Sequence, residues 1–274
     1  MKDTGTRRYG DAETRDTDLP VSASPRPRVP ASSVTVSSPD LRILLWDIDG
    51  TLIRSRRSGA FKDYTIPVLE AVFGTSGCLA ELKVSGMTDL QIVGEALRHE
   101  GFTHEHIRER IDQVRTIYME EMRKATSNGK RFFEILPGVR ETLQALTDHP
   151  RYRSALLTGN IEPAARLKME LMGLSEFFDL PGAFGDESHD RRDLPVKAVE
   201  RIRRHLDLDL LPFQFIVIGD TPNDIDCARH FGARALAVAT GRFYSAEDLL
   251  AHEPDALLPD LSDVQSVMQT LASL

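Results

Sequence analysis

Two acidic residues stand where a hydrophobic run of the sequence ends. Residues 43–53 read ILLWDIDGTLI, so Asp47 and Asp49 follow four apolar residues and precede Gly50 and Thr51. A carboxylate that is desolvated without a partner costs several kcal/mol. An Asp-x-Asp pair at the end of a buried strand therefore predicts that both acids have a partner, a chemical task or both.

Two further polar clusters follow apolar runs in the same way. Thr158, Gly159 and Asn160 end the run YRSALLTGN, and Asp220 and Asp224 end the run FQFIVIGDTPND. Ligands of parallel α/β sheets bind beyond the carboxyl ends of the strands, so three such ends would deliver their side chains to one rim. Each cluster alone can be a turn or a helix cap. Their joint occurrence predicts a single site.

The spacing of apolar residues predicts the elements that position these side chains. Helical patterns separate short apolar runs that are typical of buried strands. Near-continuous apolar strands that alternate with helices indicate a parallel, doubly wound α/β sheet. The predicted strands are 42–49, 152–160, 213–220 and 233–241, and the helical patterns between them are 161–174, 195–206 and 222–232.

A long segment between the first two predicted strands breaks this alternation. It has roughly a hundred residues, whereas a strand-helix-strand crossover needs only a few tens. Helical periodicity recurs in it, at residues 59–73, 88–100, 103–125 and 138–147. We therefore expect three parts: a disordered, proline-rich N-terminal extension at 1–40, an α/β core made of 41–54 and 137–274, and an inserted helical domain at 55–136.

Composition and charge exclude several classes of protein. The chain has 274 residues, of which 41% are hydrophobic and 28% charged, as in ordinary soluble globular proteins. Its formal net charge of −8 argues against a general nucleic-acid binder. No run approaches the ~18 apolar residues of a membrane span, and two cysteines are too few for a disulfide framework. We expect a cytoplasmic monomer or homodimer without nucleic-acid or membrane partners.

The order of the motifs resembles that of the haloacid dehalogenase superfamily. DIDGT, Thr158 in LLTGN, and GDTPND match its motif series, and the resemblance covers about residues 41–272. The predicted helical insertion resembles the small cap domain of that family. Within the superfamily, the chain is similar to the phosphoglycolate-phosphatase-like hydrolases. The resemblance implies a Rossmann-like core with an inserted cap, and hydrolysis of a small phosphorylated metabolite such as phosphoglycolate.

The resemblance also implies roles for the acids. Asp47 would be the nucleophile that forms an aspartyl-phosphate, which splits a very slow displacement into two easier steps. Asp49 would protonate the leaving alkoxide and then activate the attacking water. Three acids and a phosphoryl group need a counter-charge, and Mg²⁺ suits such oxygen ligands. Asp47, the backbone carbonyl of Asp49 and Asp220 would bind it, and Asp224 would support the metal shell.

A further cation is expected to neutralise the phosphoryl oxygens. Thr158 and the backbone N–H of Gly159 would donate to these oxygens. The family usually carries a lysine before the helix that precedes the third strand, where this chain reads DESHDRRDLPVKAVERI. Arg191, Arg192 and Lys197 are the candidates, and the two arginines are favoured because they precede the helix. An arginine would stay charged and could bind two oxygens at once.

Substrate selectivity is expected to come from the insertion. The run KVSGMTDLQIV stands where related enzymes carry a substrate-facing loop, although Thr88 or Asp89 could equally be a helix N-cap. The candidate substrate contacts are Gly86, Met87 and Thr88 in this run, together with Gly50, Gly159 and Asn160 beside the motif acids.

Three other activities are compatible with parts of the pattern. A phosphoryl mutase or transferase of the β-phosphoglucomutase type shares the early steps and differs by shielding the intermediate from water, and the sequence leaves it open. A 2-haloacid dehalogenase needs no metal and typically lacks the second acid, whereas Asp49 is present. An inactive binding protein would be expected to have lost Asp47 or Asp49.

Overall fold

The structure is a computed structural model that describes residues 38–127 and 132–274. The predicted extension at 1–40 lies outside the described residues except for Ser38–Asp40, which form one short 3-10 turn. In the described segments, no helix combines the length and the apolar character needed to cross a bilayer.

Seven strands are present in the described residues. In chain order they are β1 (Arg42–Trp46), β2 (Ile53–Ser55), β3 (Phe133–Ile135), β4 (Tyr152–Leu156), β5 (Phe215–Gly219), β6 (Arg234–Val238) and β7 (Ala256–Leu258). Five of them form a sheet in the order β4-β1-β5-β6-β7, and each neighbouring pair is parallel. The predicted parallel α/β architecture is confirmed, and this strand order places β1 between the two strands that carry the other polar clusters.

Both faces of the central sheet are buried. Because successive side chains of a strand point to opposite faces, Leu44 and Trp46 belong to one apolar core, whereas Ile43 and Leu45 belong to another. This two-sided burial explains why the strand sequences are nearly continuous in apolar residues rather than alternating.

Ten α-helices complete the described part of the chain. They are α1 (Lys62–Phe73), α2 (Asp89–Ala96), α3 (His104–Glu109), α4 (Ile111–Ala125), α5 (Val139–Thr147), α6 (Glu162–Met172), α7 (Leu194–Leu206), α8 (Pro222–Phe231), α9 (Ala246–Leu250) and α10 (Val264–Ser273). Helix α6 follows β4 and α8 follows β5, so each begins beside a polar cluster at a strand end. The pattern predicted over 103–125 is divided in two at Arg110, which ends α3 and precedes α4.

A two-stranded antiparallel ribbon connects the helical segment to the sheet. β2 pairs with β3 through Ile53 and Ile135, Arg54 and Glu134, and Ser55 and Phe133. We call the helices between these strands, α1–α4, the helical insertion. Helix α1 packs on α4, where the rings of Tyr64 and Tyr118 meet edge to face with centroids 5.2 Å apart. The helical insertion occupies the place where the sequence predicts a separate domain.

Candidate active site

Three aspartates converge at the carboxyl edge of the sheet. Asp47 follows β1, Asp220 follows β5, and Asp224 lies in the first turn of α8. One carboxylate oxygen of each lies within 4.8 Å of the others, and the three residues are 5%, 3% and 2% exposed, respectively. Because β1 and β5 are neighbours in the sheet, the strands bring together acids that are more than 170 residues apart in the chain.

The start of α8 fixes the orientation of Asp224. The backbone N–H and the hydroxyl of Thr221 both donate to Oδ2 of Asp224, at 3.1 and 2.7 Å. Pro222 occupies the first turn, where its missing N–H costs nothing. One oxygen of Asp224 therefore caps the helix, and the other accepts from Arg191.

Asp220 lies between two glycine backbones. A Cβ atom on Gly50 would lie 2.3 Å from Oδ2 of Asp220, and one on Gly241 would lie 2.1 Å from the same oxygen. Gly50 also has a φ of +95°, which side chains rarely adopt. The hydroxyl of Thr51 donates to Oδ1 of Asp220 at 3.2 Å. Gly50, a predicted substrate contact, is thus placed directly against this carboxylate.

The cluster carries an excess of buried negative charge. Burial raises the pKa of Asp47 to about 6; Arg191 opposes this shift, and the Asp224 carboxylate adds to it. Burial and the charges of Asp47 and Asp224 likewise raise the pKa of Asp220 well above its ordinary value. The three buried carboxylates form an oxygen-only donor set, which suits a hard divalent cation. These residues could hold a metal ion.

One of the predicted cations contacts the acids. Arg191 is 6% exposed, and its Nη2 donates to Oδ1 of Asp47 at 2.9 Å and to Oδ1 of Asp224. Burial alone would lower the pKa of Arg191, but the two carboxylates raise it further above its ordinary value. Its buried Nε has no partner among the described residues. One N–H of the buried guanidinium is therefore unpaired within the described part of the chain.

The other two candidate cations lie away from the carboxylates. Arg192 is exposed and pairs with Asp190 at 2.6 Å, and Lys197 lies within α7. Arg191 and Arg192 are adjacent and of the same type, so the sequence alone could not distinguish them. The structure distinguishes them by burial.

Asp49 lies in a separate polar group beside the three aspartates. Its Oδ2 accepts hydrogen bonds from Nζ of Lys168 at 2.5 Å and from Nδ2 of Asn160 at 2.7 Å. Nδ2 of Asn160 also donates to the hydroxyl oxygen of Thr158 at 2.9 Å. Asn160 was predicted only as a substrate contact, whereas in the structure its side chain links Asp49 of the first motif to Thr158 of the second.

Lys168 is a site residue that the sequence reasoning missed. Burial acts to lower its pKa, but the Asp49 carboxylate, together with Tyr64 and Asp89, outweighs burial, so the pKa of Lys168 lies above its ordinary value. A signal was present: Lys168 follows Ala164 by four positions and Ala165 by three, and both alanines are fully buried. A lysine on the apolar stripe of a helix needs a buried partner.

The loop before α2 contacts the motif residues through its backbone. The carbonyl of Gly86 accepts from Nη1 of Arg191 at 3.2 Å and from Nδ2 of Asn223 at 2.8 Å. A Cβ on Gly159 would lie 2.1 Å from the carbonyl oxygen of Met87. Of the predicted substrate contacts, Met87 therefore lies against Gly159 of the second motif, and Gly86 lies against Arg191 and Asn223.

Thr88 has the alternative role that its sequence allowed. Its hydroxyl accepts from the backbone N–H of Gln91 at 3.1 Å, as a helix N-cap does, and donates to the carbonyl of Ser188 at 2.8 Å. The residue is fully buried. One hydrogen bond caps α2, and the other joins the start of α2 to the backbone at Ser188.

The fold and the site define a hydrolase of the haloacid dehalogenase-like type. The profile of the haloacid dehalogenase-like hydrolase family matches residues 41–232, and the chain belongs to this family. A phosphoglycolate phosphatase from Vibrio vulnificus (strain YJ016) is 21% identical in an alignment of 241 residues that covers 84% of this chain and 96% of that protein. The pyrophosphatase PpaX of Bacillus velezensis is 24% identical over 242 residues, covering 81% of this chain and 93% of that protein.

Solved structures share the fold. CbbY from Rhodobacter sphaeroides in complex with phosphate aligns with a TM-score of 0.58 at 18% identity, over 82% of this chain and 96% of that chain. A Thermotoga maritima protein assigned provisionally as a beta-phosphoglucomutase aligns with a TM-score of 0.53 at 18% identity, over 84% of this chain and 99% of that chain.

Proposed function

We propose that this protein is a Mg²⁺-dependent phosphatase that hydrolyses a small phosphorylated metabolite through an aspartyl-phosphate. The observation that carries the proposal is the meeting of Asp47, Asp220 and Asp224 with the buried guanidinium of Arg191. Four groups of this kind suit a site that binds a cation and a phosphoryl group together. The relatives named as a phosphoglycolate phosphatase and a pyrophosphatase support the same reaction class, and phosphoglycolate is the first substrate to test.

The carboxylates and one backbone carbonyl would hold the metal. Asp47, Asp220 and the carbonyl of Asp49 are the proposed ligands, and Asp224 supports them. Mg²⁺ supplies charge stabilisation for the phosphoryl oxygens when it is bound.

The first half-reaction transfers the phosphoryl group to the protein. A carboxylate oxygen of Asp47 forms a bond to phosphorus while the bond from phosphorus to the leaving oxygen breaks. The carboxyl group of Asp49 gives its proton to that oxygen, so the product leaves as an alcohol. Arg191, the hydroxyl of Thr158 and the backbone N–H of Gly159 balance the charge of the phosphoryl group.

The second half-reaction regenerates the acid and the nucleophile. A water oxygen forms a bond to phosphorus, and the carboxylate of Asp49 takes the proton that this water loses. The bond between phosphorus and Asp47 breaks, which releases inorganic phosphate. Asp49 is protonated again and ready for the next substrate.

The helical insertion is proposed to act as a cap that selects the substrate. In this assignment residues 55–136 form the cap, and residues 41–54 and 137–274 form the catalytic core. The hydrogen bond from Arg191 to the carbonyl of Gly86 supports a role for the loop from Gly86 to Thr88 in contacting the substrate.

The test is phosphate release from a panel of phosphorylated metabolites, with Mg²⁺ or with EDTA. We expect release that requires Mg²⁺ and falls by several orders of magnitude in Asp47→Asn. Asp226→Asn, which removes an exposed acid of α8, is the matched control and is expected to keep wild-type activity. The proposal is wrong if no member of the panel is hydrolysed, or if Asp47→Asn releases phosphate as fast as the wild type.

The same panel separates hydrolysis from phosphoryl transfer between hydroxyl groups. Sugar phosphates are included because the likeness to the Thermotoga maritima protein raises that alternative. A phosphatase produces inorganic phosphate, whereas a mutase produces an isomeric sugar phosphate, which ³¹P NMR resolves.

A further inference from the structure

Helix α6 places a buried lysine in contact with Asp49, the second acid of the first motif. Lys168 is 3% exposed, and its Nζ contacts Oδ2 of Asp49 at 2.5 Å and Oδ1 of Asn160 at 2.6 Å. The ring of Phe133 covers the ammonium group, with its centroid 5.7 Å from Nζ. The cation is therefore held on three sides by an acid, an amide and an aromatic ring.

The two oxygens of Asp49 have different surroundings. Oδ2 receives both protein donors, from Lys168 and Asn160. Among residues 38–127 and 132–274, no donor reaches Oδ1. The side chain of Asp49 is 40% exposed, in contrast to the 3% of its lysine partner. Oδ2 is therefore anchored by two protein donors, whereas Oδ1 accepts none from the described residues.

We propose that Lys168 is a positioning residue which, together with Asn160, anchors Oδ2 of Asp49 so that Oδ1 is the oxygen that gives and takes the proton. This inference rests on the proposed phosphatase function and assigns a role to a residue outside the family motifs quoted above.

The anchoring is compatible with both protonation states of Asp49. An oxygen that receives two N–H donors acts as an acceptor in the carboxylate and equally as the carbonyl oxygen of the carboxylic acid. The transferable proton then sits on Oδ1 before the leaving oxygen takes it, and the proton from water returns to Oδ1 in the second half-reaction. The same orientation therefore serves both steps.

Positioning of this kind has a large effect on rate. A misplacement of about 1 Å can cost about a hundredfold, and general acid–base catalysis contributes typically about 10²–10⁴-fold. Without Lys168, Asp49 keeps the single donor of Asn160 and gains access to other rotamers. We expect the loss to fall on kcat and to leave KM nearly unchanged.

The experiment compares Lys168→Met with the wild type on two classes of substrate. An alkyl phosphate needs a proton on its leaving oxygen, whereas the phenolate of 4-nitrophenyl phosphate leaves without one. In Lys168→Met, we expect formation of the phosphoenzyme from the alkyl phosphate to fall about a hundredfold. The first-turnover burst of nitrophenolate is expected to stay within about threefold of the wild type, followed by slower steady-state turnover. Arg166→Met removes an exposed cation from the same helix and is expected to change neither rate.

A double-mutant cycle with Asp49→Asn identifies the residue through which Lys168 acts. If Lys168 acts through Asp49, adding Lys168→Met to Asp49→Asn changes kcat by no more than about threefold. A structural role would instead lower the burst and the alkyl reaction together, or lower kcat as strongly in the Asp49→Asn background. Either result overturns the proposal.

Folding is measured by circular dichroism and thermal unfolding for every variant. If Lys168→Met does not fold, Lys168→Gln retains a hydrogen-bond donor without the charge and takes its place. If neither variant folds, Lys168 is a structural residue and the proposal is wrong. Wild-type protein that hydrolyses no phosphate ester refutes the proposed function itself, whereas an active wild type with an inactive Asp47→Asn and equal losses on both substrates refutes only this inference.

Discussion

Arg191 partly neutralises the negative charge of the aspartate cluster when no metal ion is bound. Its guanidinium contacts Asp47 and Asp224 from a position that is almost fully buried. Removing one partner of a buried ion pair leaves an uncompensated charge, which typically costs about 3–5 kcal/mol. The stability of the metal-free protein should therefore depend on this one side chain.

Arg191→Met is expected to lower the free energy of unfolding by about 3 kcal/mol in EDTA. Mg²⁺ should restore part of this loss, because it neutralises the same carboxylates. Arg192→Met removes an exposed arginine and is expected to cost at most about 1 kcal/mol. Urea unfolding with and without Mg²⁺ measures both variants. Equal losses in the two variants would contradict the assignment of Arg191.

The raised pKa of Asp47 predicts how stability depends on pH. Burial raises this pKa from 3.8 to about 6, so folding favours the protonated carboxyl. Its stabilising contribution is complete below about pH 4 and is lost as the pH rises through about 6, a change on the order of 3 kcal/mol.

We expect this pH dependence in the difference between two proteins. In EDTA, the wild type should lose stability relative to Asp47→Asn between pH 4 and pH 7, because asparagine does not titrate. Thermal unfolding across this range measures the difference. A constant difference would show that Asp47 titrates as an exposed aspartate does.

The sequence predicted the acids of the site better than its cations. Asp47, Asp49, Asp220 and Asp224 could be found because they follow apolar strands. A strand end has a fixed place in a parallel sheet, whereas the direction of a side chain before or within a helix depends on packing. Lys168 was therefore missed.

Loops from the core and the helical insertion meet with almost no space between their backbones. The N–H of Asp89 donates to the carbonyl of Gly159 at 2.7 Å, and the N–H of Leu90 donates to that of Gly185 at 3.2 Å. A Cβ on Gly185 would lie 1.6 Å from the carbonyl oxygen of Gly159. The start of α2 is thus attached to the second motif through positions that admit only glycine.

Gly185→Ala is expected to displace the start of α2 and to lower both stability and activity. The added methyl group cannot be accommodated without moving backbone, and overpacking typically costs about 1–3 kcal/mol. Thermal unfolding and kcat/KM measure the two effects.

Gly94→Ala is the matched control for this steric argument. A Cβ at Gly94 would lie 3.5 Å from the ring of His104, an ordinary van der Waals contact, and alanine is favoured over glycine inside a helix by about 0.5–1 kcal/mol. We expect Gly94→Ala to be neutral or slightly stabilising. If Gly185→Ala behaves in the same way, the close contact at Gly185 is not important.

Long apolar runs predicted four strands of the sheet. A short strand and a break within a helical pattern were not predicted. The four predicted strands are present as β1, β4, β5 and β6. β7 was missed because its three residues are too few to show a period. The division between α3 and α4 was missed because apolar periodicity continues across Arg110, where the backbone leaves the helical conformation.

The protein as a whole should be stabilised by the proposed Mg²⁺ ion. A ligand that binds only the folded state adds about 2.7 kcal/mol at a hundred times its Kd. Folding brings Asp47 next to Asp220 and Asp224, which are more than 170 residues away in the chain, so the unfolded chain offers no comparable site.

We expect Mg²⁺ to raise the Tm of the wild type in a concentration-dependent manner. Asp220→Asn should abolish most of this shift, whereas Asp226→Asn, on the exposed side of α8, should keep it. Thermal unfolding over a Mg²⁺ titration measures the three proteins. A shift of equal size in all three would indicate binding elsewhere on the molecule.

The ribbon of β2 and β3 has a consequence for how such proteins diversify. Both ends of the helical insertion leave the core side by side, within a few residues of the first motif and of α5. A segment joined in this way can be replaced, lengthened or shortened, while the catalytic residues keep their positions. Related proteins with this architecture can therefore change the molecule that they bind while they keep the same reaction.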